Sequence, residues 1–490
     1  MSEAFFKKYR EGIIGVNQQI DTPFGKKAIV YADWTASGRL YQPIEERLQN
    51  TIGPFVGNTH TETTVTGKRM TEAYHYALKY IKQHVNAYDS DVIISSNSGM
   101  TGVVNKFQRI LGLKIHERYQ RLIKFKANER PLILVTHMEH HSNQTSWIET
   151  LGDVVVIPSD KEGLVDLEGL HKRLHRYKNR TTKIAAVTSF SNVSGVEAPY
   201  YKIAEIMHEH GGLCFVDFAA SAPYININMH PENPAQKLDA IFFSPHKFLG
   251  GPGSTGILIF DSALYNNKVP DCPGGGTVEW TNPWGGHQYV DDIEQREDGG
   301  TPAFLQTMKV ALAIKLKEEM GVDNMLRREE EMLEVIWKVF DDIPNLHVLA
   351  GNIKKRLGIV SFYIENVHYN FVVKYLNDKY GIQTRGGCSC AGTYGHFLLH
   401  VDLNTSQVIT NEISHGNLSM KPGWIRMSIH PTMTDEELNT TLNAIKDISE
   451  NHEEYIKDYI YNEHTNEYYH KNETQGPDKL ICNWFTDNLV

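Results

Sequence analysis

From about residue 90 to 260 the chain alternates short apolar, β-rich runs with helix-length segments, and this alternation admits few folds. The candidate strands are Val92–Ser95, Leu132–Thr136, Val154–Ile157, Ile184–Ser189, Leu213–Asp217, Ile241–Ser244 and Gly256–Phe260. Segments such as Thr101–Leu113, Asp166–Tyr177 and Tyr201–Glu209 have the length and pattern of helices between them. Strands that read as continuous apolar runs are buried on both faces, which helices crossing over a parallel sheet provide. The expected fold is α/β, a mostly parallel seven-stranded sheet covered by helices, followed by a smaller α+β C-terminal domain. Ligands of such sheets bind beyond the carboxyl ends of the strands, so the residues just after each strand are the ones to inspect.

Residues 264–302 are rich in Gly and Pro, with Pro273-Gly274-Gly275-Gly276 and Gly299-Gly300-Thr301-Pro302, and read as an active-site loop leaving the large domain. Helices are expected over Ala303–Met320 and Asn324–Val339, a strand over Gly358–Ile364 and a helix over Phe371–Tyr380. The resulting division is a large domain over 28–302, a small domain over 303–450 and a C-terminal extension over 451–490, read as a surface feature. Residues 1–27 are expected to pack on the small domain. A net charge of −10 argues against a nucleic-acid binder. The sequence has no apolar run long enough to span a membrane and starts without an apolar leader, so no membrane partner and a cytoplasmic location are expected. Five cysteines, Cys214, Cys272, Cys388, Cys390 and Cys482, are too sparse for a disulfide framework. Cys388-Ser389-Cys390 lacks a second pair at zinc spacing, and His137, His140 and His141 do not form H-E-x-x-H, so no metal site is expected.

The strand ends carry a consistent chemistry. Lys247, in Ser244-Pro245-His246-Lys247, follows the run Ile241–Phe243 beside a Gly-rich turn. Desolvation there lowers a lysine's pKa and frees the amine to attack an aldehyde; alone it would read as a surface lysine. Asp217 ends another buried strand, and a buried carboxylate needs a cation. A pyridinium nitrogen is one such cation, and pyridoxal-phosphate enzymes use an Asp in that role; a helix cap or an ion pair is the plainer reading. Ser98-Gly99-Met100-Thr101 opens a helix, where free N–H groups suit a phosphate. His140, within Thr136–Asn143, is placed to stack on a planar ring or to move protons, and Asn192 brings an amide to the same rim.

In this order the pieces resemble the class V aminotransferase superfamily of pyridoxal-phosphate (fold type I) enzymes, and within it the cysteine desulfurase and selenocysteine lyase branch. The resemblance is carried by Tyr31-Ala32-Asp33, Gly99-Met100-Thr101, Glu139-His140-His141-Ser142-Asn143, Ser191-Asn192-Val193-Ser194-Gly195, Val216-Asp217, Ser244-Pro245-His246-Lys247, Gly300-Thr301-Pro302 and Arg385-Gly386-Gly387-Cys388-Ser389-Cys390-Ala391. It implies that Lys247 holds pyridoxal 5′-phosphate as a Schiff base, that Asp217 faces the ring nitrogen and that His140 stacks on the ring. Thr101, Ser244 and His246 would hold the phosphate with the backbone of Gly99 and Met100, and Asn192 would lie near the ring hydroxyl. Thr301 would reach the phosphate of a neighbouring subunit, which implies a homodimer with shared sites. Arg426 matches the clamp for an amino-acid substrate's carboxylate, a task suited to a planar fork of donors, and Arg385 belongs to the same substrate side. The branch aligns its sulfur-accepting nucleophile with Cys390, which would take a persulfide from L-cysteine, leave L-alanine, and pass the sulfur to a possible acceptor protein.

Two departures stand out. The family usually follows its Asp with Gly-Ala-Gln, whereas this chain has Phe218-Ala219-Ala220, so a cofactor contact is absent. An insertion around His400–Lys421 separates the Cys loop from Arg426 and is placed to reshape the entrance. Cys388 is a rival nucleophile two residues from Cys390. Another class V reaction (aminotransferase, epimerase or C–S lyase) and a cofactor-free regulatory or binding relative remain as alternatives.

Overall fold

The computed structural model describes residues 2–59, 61–473 and 479–486. Helix α1 (Ser2–Glu11) is followed by α2 (Val65–His84) and by the first strand of the main sheet. That sheet has seven strands: β1 (Val92–Ser96), β2 (Leu132–Thr136), β3 (Asp153–Ile157), β4 (Lys183–Thr188), β5 (Leu213–Asp217), β6 (Ala240–Phe243) and β7 (Gly256–Phe260), in the spatial order β1-β7-β6-β5-β4-β2-β3. The run β6-β5-β4-β2-β3 is parallel, while β7 is antiparallel to both β6 and β1. The mostly parallel sheet and the α/β class are therefore as expected, with one reversed strand that a run of apolar residues cannot reveal. Every residue of β2, β4, β6 and β7 is buried, which is why these strands read as unbroken apolar runs and not as alternating ones.

The chain then enters α3 (Gly99–Ile110), which follows β1, and much later α4 (Phe304–Met320) and α5 (Val322–Phe340). A second sheet follows, antiparallel throughout, made of β8 (Leu346–Val348), β9 (Ile359–Ile364), β10 (Arg385–Gly387) and β11 (Trp424–Ser428) in the order β8-β9-β11-β10. Helix α6 (Tyr369–Tyr375) lies between β9 and β10, and α7 (Leu403–Ser414) and α8 (Asp435–Tyr455) follow. Met332, Ile336 and Phe340 of α5 pack with Leu442, Ile445 and Ile448 of α8 and with Phe362, Ile425 and Met427 of the sheet in one core. A reciprocal cap between Thr434 and Glu437 starts α8. Arg10 of α1 forks onto Glu437 at 2.8 Å, and the Tyr9 hydroxyl donates to Glu319 O at 2.6 Å.

One segment differs from its reading in the sequence, and a second shows structure that the sequence does not mark. Residues 264–302 do not line the cleft of this chain; they pack on the outside of α3, through Arg109–Asp271 (2.7 Å) and Lys106–Glu297 (2.9 Å). Beyond α8, the tail forms a hairpin, β12 (Tyr459–Asn462) with β13 (Glu467–His470), whose Tyr459 and His470 are buried. Aromatic contacts with Phe371 and Tyr375 of α6 hold it down, so this part of the tail is an ordered hairpin packed on the surface of the small domain. Residues 474–478 and 487–490 of that extension lie outside the described ones. No described helix is long and apolar enough to cross a membrane.

Candidate active site

The strand-end residues converge in one cleft of about 310 Å³, lined by Gly99, Met100, Thr101, His140, Asn192, Asp217, Ser244, His246, Lys247, Arg385, Cys390 and Arg426 among others. That volume suits a small molecule. Of the residues singled out in the sequence, Thr301 and the rival thiol Cys388 are left outside; Thr301 is exposed in this chain and Cys388 half-buried. A larger cleft of about 640 Å³ between α2 and residues 292–298 holds none of them.

At one end of the cleft, α3 begins. Gly99 has φ +64° and open space where a side chain would stand. The start of β7 presses so close that a Cβ on Gly256 would come within 2.1 Å of the Gly99 carbonyl carbon. The result is a bare helix N-terminus facing the cleft, with the Thr101 hydroxyl hydrogen-bonded to that of Ser142 at 2.7 Å. Unpaired N–H groups at such an end favour an anion.

At the floor, Asp217 Oδ1 accepts from Ala219 N–H at 2.7 Å. Burial pushes this carboxyl up to about 6, against the pull of that hydrogen bond and of Lys247, so it is ionised at neutral pH. Lys247 sits above it, half-buried; burial lowers its amine to about 8, Asp217 opposing. His140 is pushed down to about 3, chiefly by burial and then by Lys247. Its Nδ1 accepts from Ser142 N–H at 3.1 Å, which leaves Nε2 to carry the hydrogen of the neutral ring. Burial likewise takes His246 to about 4.

Across the cleft, Arg385 and Arg426 are direct cross-strand partners on β10 and β11. Like charges so placed repel, and Asp33 relieves the repulsion. Its carboxylate accepts from Arg426 Nη2 at 2.8 Å and from Arg385 Nε at 3.0 Å. Arg426 Nη1 also donates to Asn192 O at 3.2 Å, while its Nε is buried without a partner. Both arginines thus face the cleft already bound to a carboxylate of the chain. Asp33 was missed as a site residue, because nothing local in Tyr31-Ala32-Asp33 marks it as the anion between them.

Glu139 was also missed as a structural element. It is fully buried and accepts four hydrogen bonds, from Thr136 N (3.1 Å), Thr136 Oγ1 (2.6 Å), Thr188 N (2.9 Å) and Asn143 Nδ2 (2.8 Å). It therefore ties the ends of β2 and β4 to the loop that carries His140. Burial raises its carboxyl to about 8 in spite of those donors. Glu139→Ala leaves several buried donors unpaired at once and is expected to cost about 3–5 kcal/mol of stability. Urea unfolding measures this, and a loss below about 1 kcal/mol contradicts the arrangement.

Residues 30–440 match the family model described as aminotransferase class-V. The chain belongs to this family. Its members are pyridoxal-phosphate-dependent enzymes. Among curated proteins the chain is 28% identical over 378 residues to a probable cysteine desulfurase of Halalkalibacterium halodurans, which covers 76% of this chain and 86% of that one. It is 25% identical over 376 residues to a probable cysteine desulfurase of Staphylococcus aureus, at 76% and 85% coverage. The fold is similar to that of the cysteine desulfurase from Thermococcus onnurineus NA1, with a TM-score of 0.71 at 22% identity over 90% of this chain and 98% of that one. It is also similar to the cysteine desulfurase CsdA from Escherichia coli, with a TM-score of 0.68 at 20% identity and 90% and 98% coverage. The family membership and the cysteine desulfurase-like resemblance read from the motifs therefore hold.

The donor set fits the family's cofactor. A cleft with a bare helix N-terminus at one end, an ionised buried Asp217 at its floor and a desolvated Lys247 between offers an anion site, a partner for a ring cation and an amine for an aldehyde.

Proposed function

We propose that this enzyme holds pyridoxal 5′-phosphate on Lys247 and removes the sulfur of L-cysteine, releasing L-alanine and leaving a persulfide on Cys390. The observation that carries the reading is the presence of a thiol, Cys390, in the same cleft as Lys247 and Arg426. Bound there, the cofactor would supply an electrophilic aldehyde and a ring that withdraws electrons from the substrate. Gly99, Met100, Thr101, Ser244 and His246 would hold its phosphate, Asp217 its ring nitrogen, and His140 would cover its ring beside Asn192.

The rest is the work of the chain's own groups. Arg426, with donors still unspent beside Asp33, binds the substrate carboxylate, and half-exposed Arg385 closes over it. Lys247, at about 8, takes and returns a proton at the substrate's α-carbon near neutrality. The Cys390 thiolate bonds to the substrate sulfur as the C–S bond breaks. That bond's electron pair stays on the carbon, which is protonated to give the methyl group of alanine. Support also comes from curated relatives named as probable cysteine desulfurases. The same reading includes a homodimer in which exposed Thr301 serves the neighbouring site, a sulfur-acceptor partner, and the division into 28–302, 303–450 and 451–490.

Cys390→Ser is expected to lower alanine formation from L-cysteine by about a hundredfold, as for loss of a positioned nucleophile, while leaving the bound cofactor's visible absorbance. Alanine formation unchanged in this variant sinks the desulfurase reading and favours another class V reaction.

A further inference from the structure

The turn that carries Cys390 cannot hold its shape by itself. Ala391 N–H donates to Cys388 O at 2.9 Å, closing a turn over residues 388–391. Its two central residues, Ser389 and Cys390, have φ +49° and +56°. Residues with a side chain avoid this left-handed region, so contacts from outside the turn have to impose it. Asn192 Nδ2 donates to Ser389 O and His141 N–H to Cys390 O, both at 2.8 Å. On the far side of the thiol residue, Gly392 N–H donates to His141 Nε2 at 2.9 Å. His141 thus grips the chain at Cys390 and again just after it.

The second of these bonds is one that the local sequence does not provide. Gly392 opens the short helix Gly392–Leu398, whose N-cap is Ala391, a residue with no side-chain acceptor. The first N–H groups of a helix have no partner within it, and the His141 ring supplies one from 251 residues away. Glycine leaves room for that approach, since a Cβ at 392 would come 3.2 Å from Nε2. To accept there, Nε2 must carry the lone pair and Nδ1 the hydrogen of a neutral ring. Burial lowers the ring's pKa and favours that form. His141 is not among the residues that line the cleft, while His140 before it and Ser142 after it are. The turn His141–Asn143 therefore gives its neighbours to the cofactor side and its own ring to the thiol loop. Glu139 ties this turn to β2 and β4, so the ring stands on a rigid base.

We propose that His141 is a positioning residue, a latch that holds exposed Cys390 at the cleft in the left-handed turn from which its thiol reaches the substrate. The inference rests on the desulfurase reading for what the thiol does, and on the two hydrogen bonds for the latch itself. The imidazole makes and breaks no covalent bond, and no proton passes through it. Its contribution is to fix a nucleophile that would otherwise sample other arrangements, since a nucleophile reacts fast only from a near-attack position. A neighbouring contact separates this from simple docking of the short helix. Thr393 Oγ1 donates to Gln144 Oε1 at 2.8 Å, which joins the same helix to the same loop without touching Cys390.

The test uses the full-length holoenzyme with L-cysteine. It compares His141→Phe, which keeps a ring and loses the acceptor, with His141→Gln, which keeps an acceptor at a similar reach. In His141→Phe, formation of alanine and of persulfide on Cys390 is expected to slow about tenfold, equivalent to about 1.4 kcal/mol and within the worth of one hydrogen bond. Hydrogen exchange in the peptide spanning 388–395 is expected to quicken by a similar factor. His141→Gln is expected to return both to near the wild-type values, and the bound cofactor's visible absorbance to stay unchanged in both variants. Thr393→Val is expected to leave alanine formation as in the wild type. Wild-type exchange and turnover in His141→Phe overturn the latch. Equal slowing in Thr393→Val also overturns it, by reducing the ring to a helix-docking contact. Absence of alanine from the wild-type reaction overturns the desulfurase reading alone, and the exchange measurement, which needs no turnover, then decides the latch.

Discussion

Lys247→Ala is expected to abolish turnover, a loss of at least about 10⁴-fold, since it removes both the amine that captures the cofactor and a general acid–base group. Borohydride reduction of the wild type is expected to fix the cofactor's mass on the peptide containing Lys247, and reduction of the variant to fix none. The discriminating rival is Lys317. Burial pulls its amine down to about 7, lower than that of Lys247, so a depressed pKa alone would select it. Its Nζ, however, donates to Ala222 O (2.7 Å) and Ile225 O, and Lys317 lies outside the cleft. A label on Lys317, or on any lysine other than Lys247, refutes the assignment. The same chemistry gives a pH dependence. With the amine at about 8 it is protonated and unreactive below that value and neutral above it. The rate at which cofactor-free protein regains visible absorbance is therefore expected to rise about tenfold from pH 7 to pH 9.

Asp217→Asn keeps the shape of the side chain and deletes its charge, and is expected to slow turnover by about a hundredfold. A hydrogen bond to a charged group contributes roughly 1.5–3 kcal/mol, which at the upper end is about a hundredfold in rate. The substitution also has an effect that loss of shape would not cause. Asp217 is the main group opposing the downward shift of Lys247, so its removal moves the rise in the cofactor-uptake profile to lower pH. Near-wild-type turnover, or an unmoved profile, excludes the proposed pairing. Unfolding by urea provides the control, since the asparagine can still accept from Ala219 N–H as Asp217 does.

The large sheet was legible because its signal is local. Leu132–Thr136, Leu213–Asp217 and Gly256–Phe260 coincide with β2, β5 and β7, and the other four runs fall within a residue or so of their strands. A strand buried on both faces must be apolar along its whole length, and its last residues are the ones that meet the ligand, so Asp217 and Lys247 could be picked from the same pattern that marked the strands. The reversal of β7 was not legible, since an apolar run has no direction. Neither was the hairpin at 459–470, whose Tyr459 and His470 are buried although the segment reads as polar, because α6 supplies an aromatic surface.

What the sequence by itself determined is the set of chemical groups and the order in which strands deliver them to one edge of a sheet. Burial and backbone period act over a few residues, so a single chain displays them directly. The tertiary structure alone decided how those groups are balanced against one another. Asp33 meets Arg385 and Arg426 across 352 and 393 residues, and Glu139 joins β2 to β4 across 49. The insertion and the tail likewise meet at Tyr369, beside the loop that holds both thiols. Contacts of this kind depend on how segments far apart in the chain come together in space, and no spacing along the chain encodes that position.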